Sequence, residues 1–416
     1  MNLIEPSEAD GTLDRWITAH FDEEVAFLRE IVRVPSDTPP GDNRAAADRA
    51  AKLLEDIGFT VERHAPPQAD VDAAGLRSVI NLVVRHRLGD GGPVIALNVH
   101  GDVVPPGEGW TQDPYGGDVV DGRMYGRGVA VSKSDFATYT FALRALMASG
   151  LALHGTVELH FTYDEEFGGL LGPAWLLSEG ITKPDLALGP GFSYAVVTAH
   201  NGCLQLAVTI RGRSAHAAMP ETGVDAIRAA NVVIAAIYAD AERLTTQRSQ
   251  VDGIGSPTLN IGLIEGGINT NVVPDRVTFK LDRRMIPEED PVEVEAALRR
   301  VIATALPKQA GLSVEVRQLL LARALKPLPG HQRWVDALQD ASADVMGQPM
   351  PAMATPLYTD ARLYGEAGIP IVLYGAGPRS ILEANAKRAD ENLLLEDLRM
   401  ATRVVARALA RLLASP

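Results

Sequence analysis

Four short apolar runs, each stopping abruptly at a polar or glycine-rich loop, restrict the folds open to this chain more than any other feature of its sequence. "PVIALNV" runs into His100-Gly101-Asp102, and "TVELHFTY" into Asp164-Glu165-Glu166. "DLAL" runs into Gly189-Pro190-Gly191, and "IPIVLY" into Gly375-Ala376-Gly377. Helical patterns lie between or after them: "NRAAADRAAKLLEDIG", "DFATYTFALRALMAS", "GPAWLLSEG" and "LLLEDLRMATRVVARALARLL". Apolar strands alternating with helices predict an α/β fold, its sheet mostly parallel with helices on both faces. In such sheets ligands bind beyond the carboxyl ends of the strands, where all four polar loops lie.

The middle of the chain has a different period. "GCLQLAVTIRGRSAHA" and "VTFKLDRRM" alternate apolar and polar residues, as half-exposed antiparallel strands do. Helical "AIRAANVVIAAIYADAERL" and "PVEVEAALRRVIATAL" separate or follow them. This predicts an inserted α+β domain over 199–318, with 1–198 and 319–416 forming one discontinuous catalytic domain. The 416 residues exceed what one simple core holds, which also calls for two domains.

Composition narrows the partners. The formal net charge of -14 argues against nucleic acid and anionic membranes. The single cysteine, Cys203, rules out an intrachain disulfide. "MNLIEPSEADGTLDRW" is acidic and has no basic stretch followed by an apolar run, so it is not read as a secretory leader. No membrane span is expected, and the expected location is cytoplasmic.

Two of the strand-end loops carry residues suited to chemistry. In His100-x-Asp102 the carboxylate is placed to fix the imidazole tautomer, as a metal-bound histidine requires. In Glu165-Glu166 one carboxylate can hold a metal while its neighbour serves as general base. Singly, such pairs are more often surface residues or a solvated turn. At neighbouring strand ends the functional reading gains.

Longer segments then match a known family. "NVHGDVVPPGEGWTQDPYGGDVVDGRMYGRG", "FTYDEEFGG", "GRSAHAAMPETGVDAI", "GGINTNVVPDRVTFKLDRR" and "YTDARLYGEAGIPIVLYGAG" together resemble the carboxypeptidase G, aminoacylase and succinyl-diaminopimelate desuccinylase superfamily, in order along nearly the whole chain. The resemblance implies a two-zinc amide hydrolase with an inserted lid that makes a homodimer. It implies that His100 and Glu166 are metal ligands, that Asp102 orients His100, and that Glu165 is the general base. It implies that His216 and Asn271 of the lid hold the substrate carbonyl or carboxylate, with the histidine acting in its own or the partner's site. It implies that Arg284 pairs a substrate carboxylate, against the alternative of a strand ion pair with Asp282.

Three ligands of the family pattern are absent. Val131 stands at the bridging aspartate, Gly189 or Pro190 at an acidic residue, and Lys387 at a late histidine, with Glu391 following. A catalytic zinc needs about three protein ligands, and neither half of the pair keeps them. At most one divalent metal is expected. Losing two carboxylates and gaining a lysine moves the site three units toward positive, against four for two divalent ions, so Lys387 is read as a compensating charge and a catalytic group. Among substitutes nearby, Asp135 is read as part of a capping box with Ser132, His200 and Asn201 as hydrogen-bonding residues at the domain junction, and Tyr358 and Asp360 either as further candidates or, for Asp360, as the partner of Arg362 or another base in a buried ion pair. The expected activity is hydrolysis of a C–N bond (amide, peptide or carbamoyl) in a small amino-acid-like molecule. The alternative is a non-catalytic protein that binds such a molecule on the same scaffold. Cys203 reads as a buried, inert thiol.

Overall fold

A computed structural model describes residues 6–414; Met1–Glu5 of the acidic N-terminal segment lie outside the described residues. The chain divides into two compact units, one of residues 1–198, 327–353 and 359–416, the other of 199–326 and 354–358.

The first unit is built on an eight-stranded sheet. At its centre, strand Val94–His100 runs parallel to Gly155–Thr162 on one side and to Leu186–Gly189 on the other, and Ile371–Leu373 is parallel to Leu186–Gly189. Antiparallel pairs flank this centre, Asn81–Gly89 against Gly155–Thr162 and Ile371–Leu373 against Val196–His200. The central strands are buried on both faces, as a sheet covered by helices on each side must be. Helices Lys133–Ser149, Gln332–Met346 and Leu395–Leu413 share its main core with Leu97, Val99, Leu159 and Phe161. The register pairs His100 with Thr162, so the loops after these two strands start side by side.

The start of helix Lys133–Ser149 departs from the expected capping box. Ser132 makes no cap bond; its hydroxyl accepts from the His100 N–H at 3.2 Å. Asp135 is fully buried and accepts the Ala376 N–H at 2.7 Å. A buried amide in the Gly375-Ala376-Gly377 loop needs an acceptor, and Asp135 meets that need in place of a helical N–H. A side chain at Gly375 would collide with the same carboxylate.

In the second unit, antiparallel strands lie in the order Thr258–Gly266, Arg276–Met285, Gly202–Arg211 and Ser313–Ala322. Helices Ala226–Leu244 and Pro291–Ala305 close a core around Val208, Ile210, Ile237, Phe279 and Ile302. Asp225 and Asp290 cap these helices, accepting from Arg228 N–H at 2.9 Å and Val292 N–H at 2.8 Å. The unit extends past the expected end at 318. Strand Ser313–Ala322 pairs with Gly202–Arg211 as far as Ala322, and the chain stays with this unit to Lys326.

Candidate active site

Asp102 organises the centre of the first unit. It is fully buried, and its two carboxylate oxygens accept the Glu165 N–H at 3.2 Å and the Glu166 N–H at 2.9 Å. Both glutamates therefore begin from a pinned main chain. The His100 ring faces the same residue: Nδ1 donates to the Asp102 carbonyl at 3.0 Å and lies 3.4 Å from its carboxylate. That orients the ring and turns Nε2 toward Glu165, 3.9 Å away. Burial opposes charge on His100, but Glu165, Asp102 and Glu166 outweigh it and push the imidazole up to about 10.

The two glutamates differ in their partners. Glu166 meets the Lys387 ammonium at 2.8 Å. Glu165, only 13% exposed, has no lysine of its own. Burial raises it to about 7, with His100 and Lys387 holding it down and Glu166 and Asp102 pushing it up. Lys387 is raised: burial works against its charge, and Glu166 and Glu165 prevail.

Three further buried acids stand around this cluster. Asp164 is pushed up to about 7 by burial and by Asp102, and it accepts the Leu171 N–H at 2.6 Å. Asp360 is raised well above the ordinary carboxylate range by burial and by Glu165, and one of its oxygens has no partner. It makes no ion pair with Arg362, which turns to Glu366 and the Gly168 carbonyl. Glu391 is buried with Arg127, and it also accepts the Ala130 N–H at 3.2 Å and the Lys387 N–H at 3.4 Å. The sequence signal for Glu391 was its spacing from Lys387, that for Asp360 its place in "LYTDAR" beside Arg362, and Asp164 carried none beyond its loop.

The residues present do not fit a pair of metal ions. Among the described residues, no group of three or more His, Cys, Asp or Glu side chains could hold one. Asp102 spends both oxygens on main-chain N–H groups, and Glu166 is held by an ammonium. Val131 has no donor. A side chain at Gly189 would meet Leu373 at 2.7 Å, inside the core, so position 189 has no access to the centre. Asp135 is committed to Ala376.

The residues expected on the inserted domain are in the second unit. His216 and Asn271 adjoin on a short ladder, where His216 pairs with Val272 and the Ala217 N–H donates to the Asn271 carbonyl at 2.9 Å. His216 Nδ1 accepts from the Ala218 N–H at 3.0 Å, which puts the ring proton on Nε2, and the residue is exposed. Arg284 is elsewhere on the sheet, opposite Cys203, and forms the strand ion pair with Asp282 at 2.7 Å, its guanidinium over the Tyr358 ring. Cys203 also contacts Asp282, and burial pushes its thiol up to about 12. His200 is buried with Nδ1 2.8 Å from the Asn201 carbonyl.

An open α/β sheet with a paired glutamate clamped at its strand ends, joined to a separate antiparallel α+β unit, defines a two-unit enzyme of the amide-hydrolase type. The chain belongs to peptidase family M20/M25/M40, whose description matches residues 96–411. It is 26% identical over 403 residues to the succinyl-diaminopimelate desuccinylase of Rhodospirillum centenum, covering 94% of this chain and 97% of that one. It is 30% identical over 317 residues to the acetylornithine deacetylase of Proteus mirabilis, covering 74% and 77%. The fold is shared with an M20 family metallo-carboxypeptidase of Sulfolobus solfataricus, at a TM-score of 0.75, 18% identity and coverage of 93% and 98%. No helix among the described residues is long and apolar enough to cross a membrane.

Proposed function

We propose that this chain hydrolyses the C–N bond of a small N-acyl, peptide or carbamoyl amino-acid-like substrate, with Glu165 as general base in a centre whose metal-ligand set is degenerate. The observation that carries this reading is the state of Glu165. It is an enclosed carboxylate on a clamped main chain, raised to about 7, where it can both take and return a proton near neutral pH. Glu165 takes a proton from water as the water oxygen bonds to the scissile carbon. It then delivers that proton to the leaving nitrogen as the C–N bond breaks. The developing oxyanion needs donors, and the candidates are the Lys387 ammonium, the exposed His216 Nε2–H and the Asn271 side chain. Arg284 would have to loosen from Asp282 to pair a substrate carboxylate.

The names of the desuccinylase and the deacetylase favour an N-acyl amino acid. The protein is proposed to be a cytoplasmic homodimer joined through the inserted domain. Supporting this, strand Thr258–Gly266 is an exposed sheet edge carrying Leu263 and Ile264, each 62% exposed. The incomplete metal-ligand set also favours a second reading, a protein that binds such a molecule without cleaving it. Glu165→Gln separates the two: it abolishes turnover in an enzyme and leaves ligand affinity largely intact in a binding protein.

A further inference from the structure

The segment that carries Lys387 is held as if its side chain had a fixed task. Its main-chain N–H points at Glu391, which is 2% exposed and clamped by Arg127 and the Ala130 N–H. Asp390 anchors the same loop, accepting the Thr111 N–H at 2.8 Å and the Gln112 N–H at 3.2 Å. Within this frame Asn385, Lys387 and Asp390 adopt φ of 49°, 61° and 55°. Residues with a Cβ rarely hold that conformation, and they keep it where the surroundings impose it. The buried Arg127–Glu391 pair takes the Lys387 N–H within this frame, and the Lys387 side chain reaches Glu166.

Glu166 is 11% exposed, so the ammonium at 2.8 Å is its principal counter-charge. A divalent ion binding at Glu166 would have to displace that ammonium or sit beside a like charge in a half-enclosed place. With the ammonium gone, the donors left beside Glu166 are Glu165 and Nε2 of His100, whose Nδ1 is held by Asp102.

We propose that Lys387 is a built-in cation, holding Glu166 by an ammonium in the place a metal ion would need and thereby closing this centre to divalent metal. This rests on the reading of the Glu165–Glu166 loop as the chain's active centre. The test reads metal binding alone, so its failure would leave Glu165 standing as base, and an inactive protein would leave the built-in cation standing.

Full-length protein washed with chelator is titrated with Co2+ while the visible d–d absorption is followed. Lys387→Met and Lys387→His are titrated alongside. Lys387 is 63% exposed, so both variants are expected to fold, and circular dichroism checks this. Wild type is expected to show no saturable Co2+ spectrum. Both variants are expected to bind Co2+ at least tenfold more tightly than wild type, with Lys387→His the tighter because it adds an imidazole. A wild-type protein that takes up one or two equivalents stoichiometrically overturns the proposal. Folded variants that bind no better than wild type overturn it as well.

Discussion

Replacing Glu24 with glutamine should stabilise the first unit at alkaline pH and hardly at all in acid. Glu24 lies in helix Phe21–Val32 and is fully buried. One oxygen is 2.5 Å from the Thr402 hydroxyl of helix Leu395–Leu413, and the other has no partner. Burial pushes its carboxyl from 4.5 to about 8, against the bond from Thr402. A neutral Glu24 can donate to Thr402, whose own hydrogen goes to the Leu398 carbonyl at 3.0 Å. The folded state therefore keeps a proton that the unfolded chain releases above pH 4.5. The stability contributed by this group is complete below 4.5 and is lost as pH rises through about 8. At about 1.4 kcal/mol per pH unit, the gap amounts to a ceiling of roughly 5 kcal/mol. Glutamine has the same shape and no charge to bury, so the variant escapes the loss. All four tryptophans, Trp16, Trp110, Trp175 and Trp334, lie in the first unit. Urea unfolding followed by tryptophan fluorescence thus reports this unit alone. Comparing variant with wild type at each pH cancels the other buried acids, Asp135 and Asp164. The variant's advantage should grow by several kcal/mol between pH 5 and pH 8.5. An advantage equal at the two pH values would refute a protonated Glu24.

Further outcomes follow from the same charges. As a base, Glu165 must be deprotonated, so kcat/KM should rise about tenfold per pH unit below about 7 and level off above it. Lys387→Ala removes a charge that holds Glu165 down and should move that midpoint to higher pH; a profile that stays put or moves lower separates Lys387 from Glu165. Light scattering should give twice the 44.5 kDa chain mass, and Leu263→Glu with Ile264→Glu should return it to one chain; a wild-type monomer refutes the dimer. Asp102→Asn should cost activity on the order of 10–100-fold with little loss of fold, since it weakens the clamp on both glutamates without emptying the space; unchanged kcat/KM would leave the clamp without a role.

The strand-end loops were readable because each apolar run is short and stops at residues that cannot continue a buried strand. His100 and Glu165 could be placed near one another from that alone, and the register that pairs His100 with Thr162 brings their loops together. What each side chain does after the turn was not readable. Ser132 and Asp135 have the spacing of a capping box, but both are buried, and there they accept from tertiary donors, the His100 and Ala376 N–H groups, instead of making a local cap. Gly189 or Pro190 was counted as the missing ligand, and a side chain at Gly189 would meet Leu373. Arg284 had two credible partners in the sequence, and the strand neighbour Asp282 holds it. The upward shift of Asp360 depends on residues far apart in the chain, and no local pattern encodes that.

The most direct test of the central claim measures amine release from a panel of N-acyl and N-carbamoyl amino acids, using wild type and Glu165→Gln. General-base catalysis contributes on the order of 10²–10⁴ in rate. Wild type should turn over at least one member of the panel, and the glutamine variant should lose 10²-fold or more in kcat with KM little changed. Equal rates in the two proteins, or no turnover of any member by wild type, would contradict the assignment of this centre as a Glu165-driven amide hydrolase.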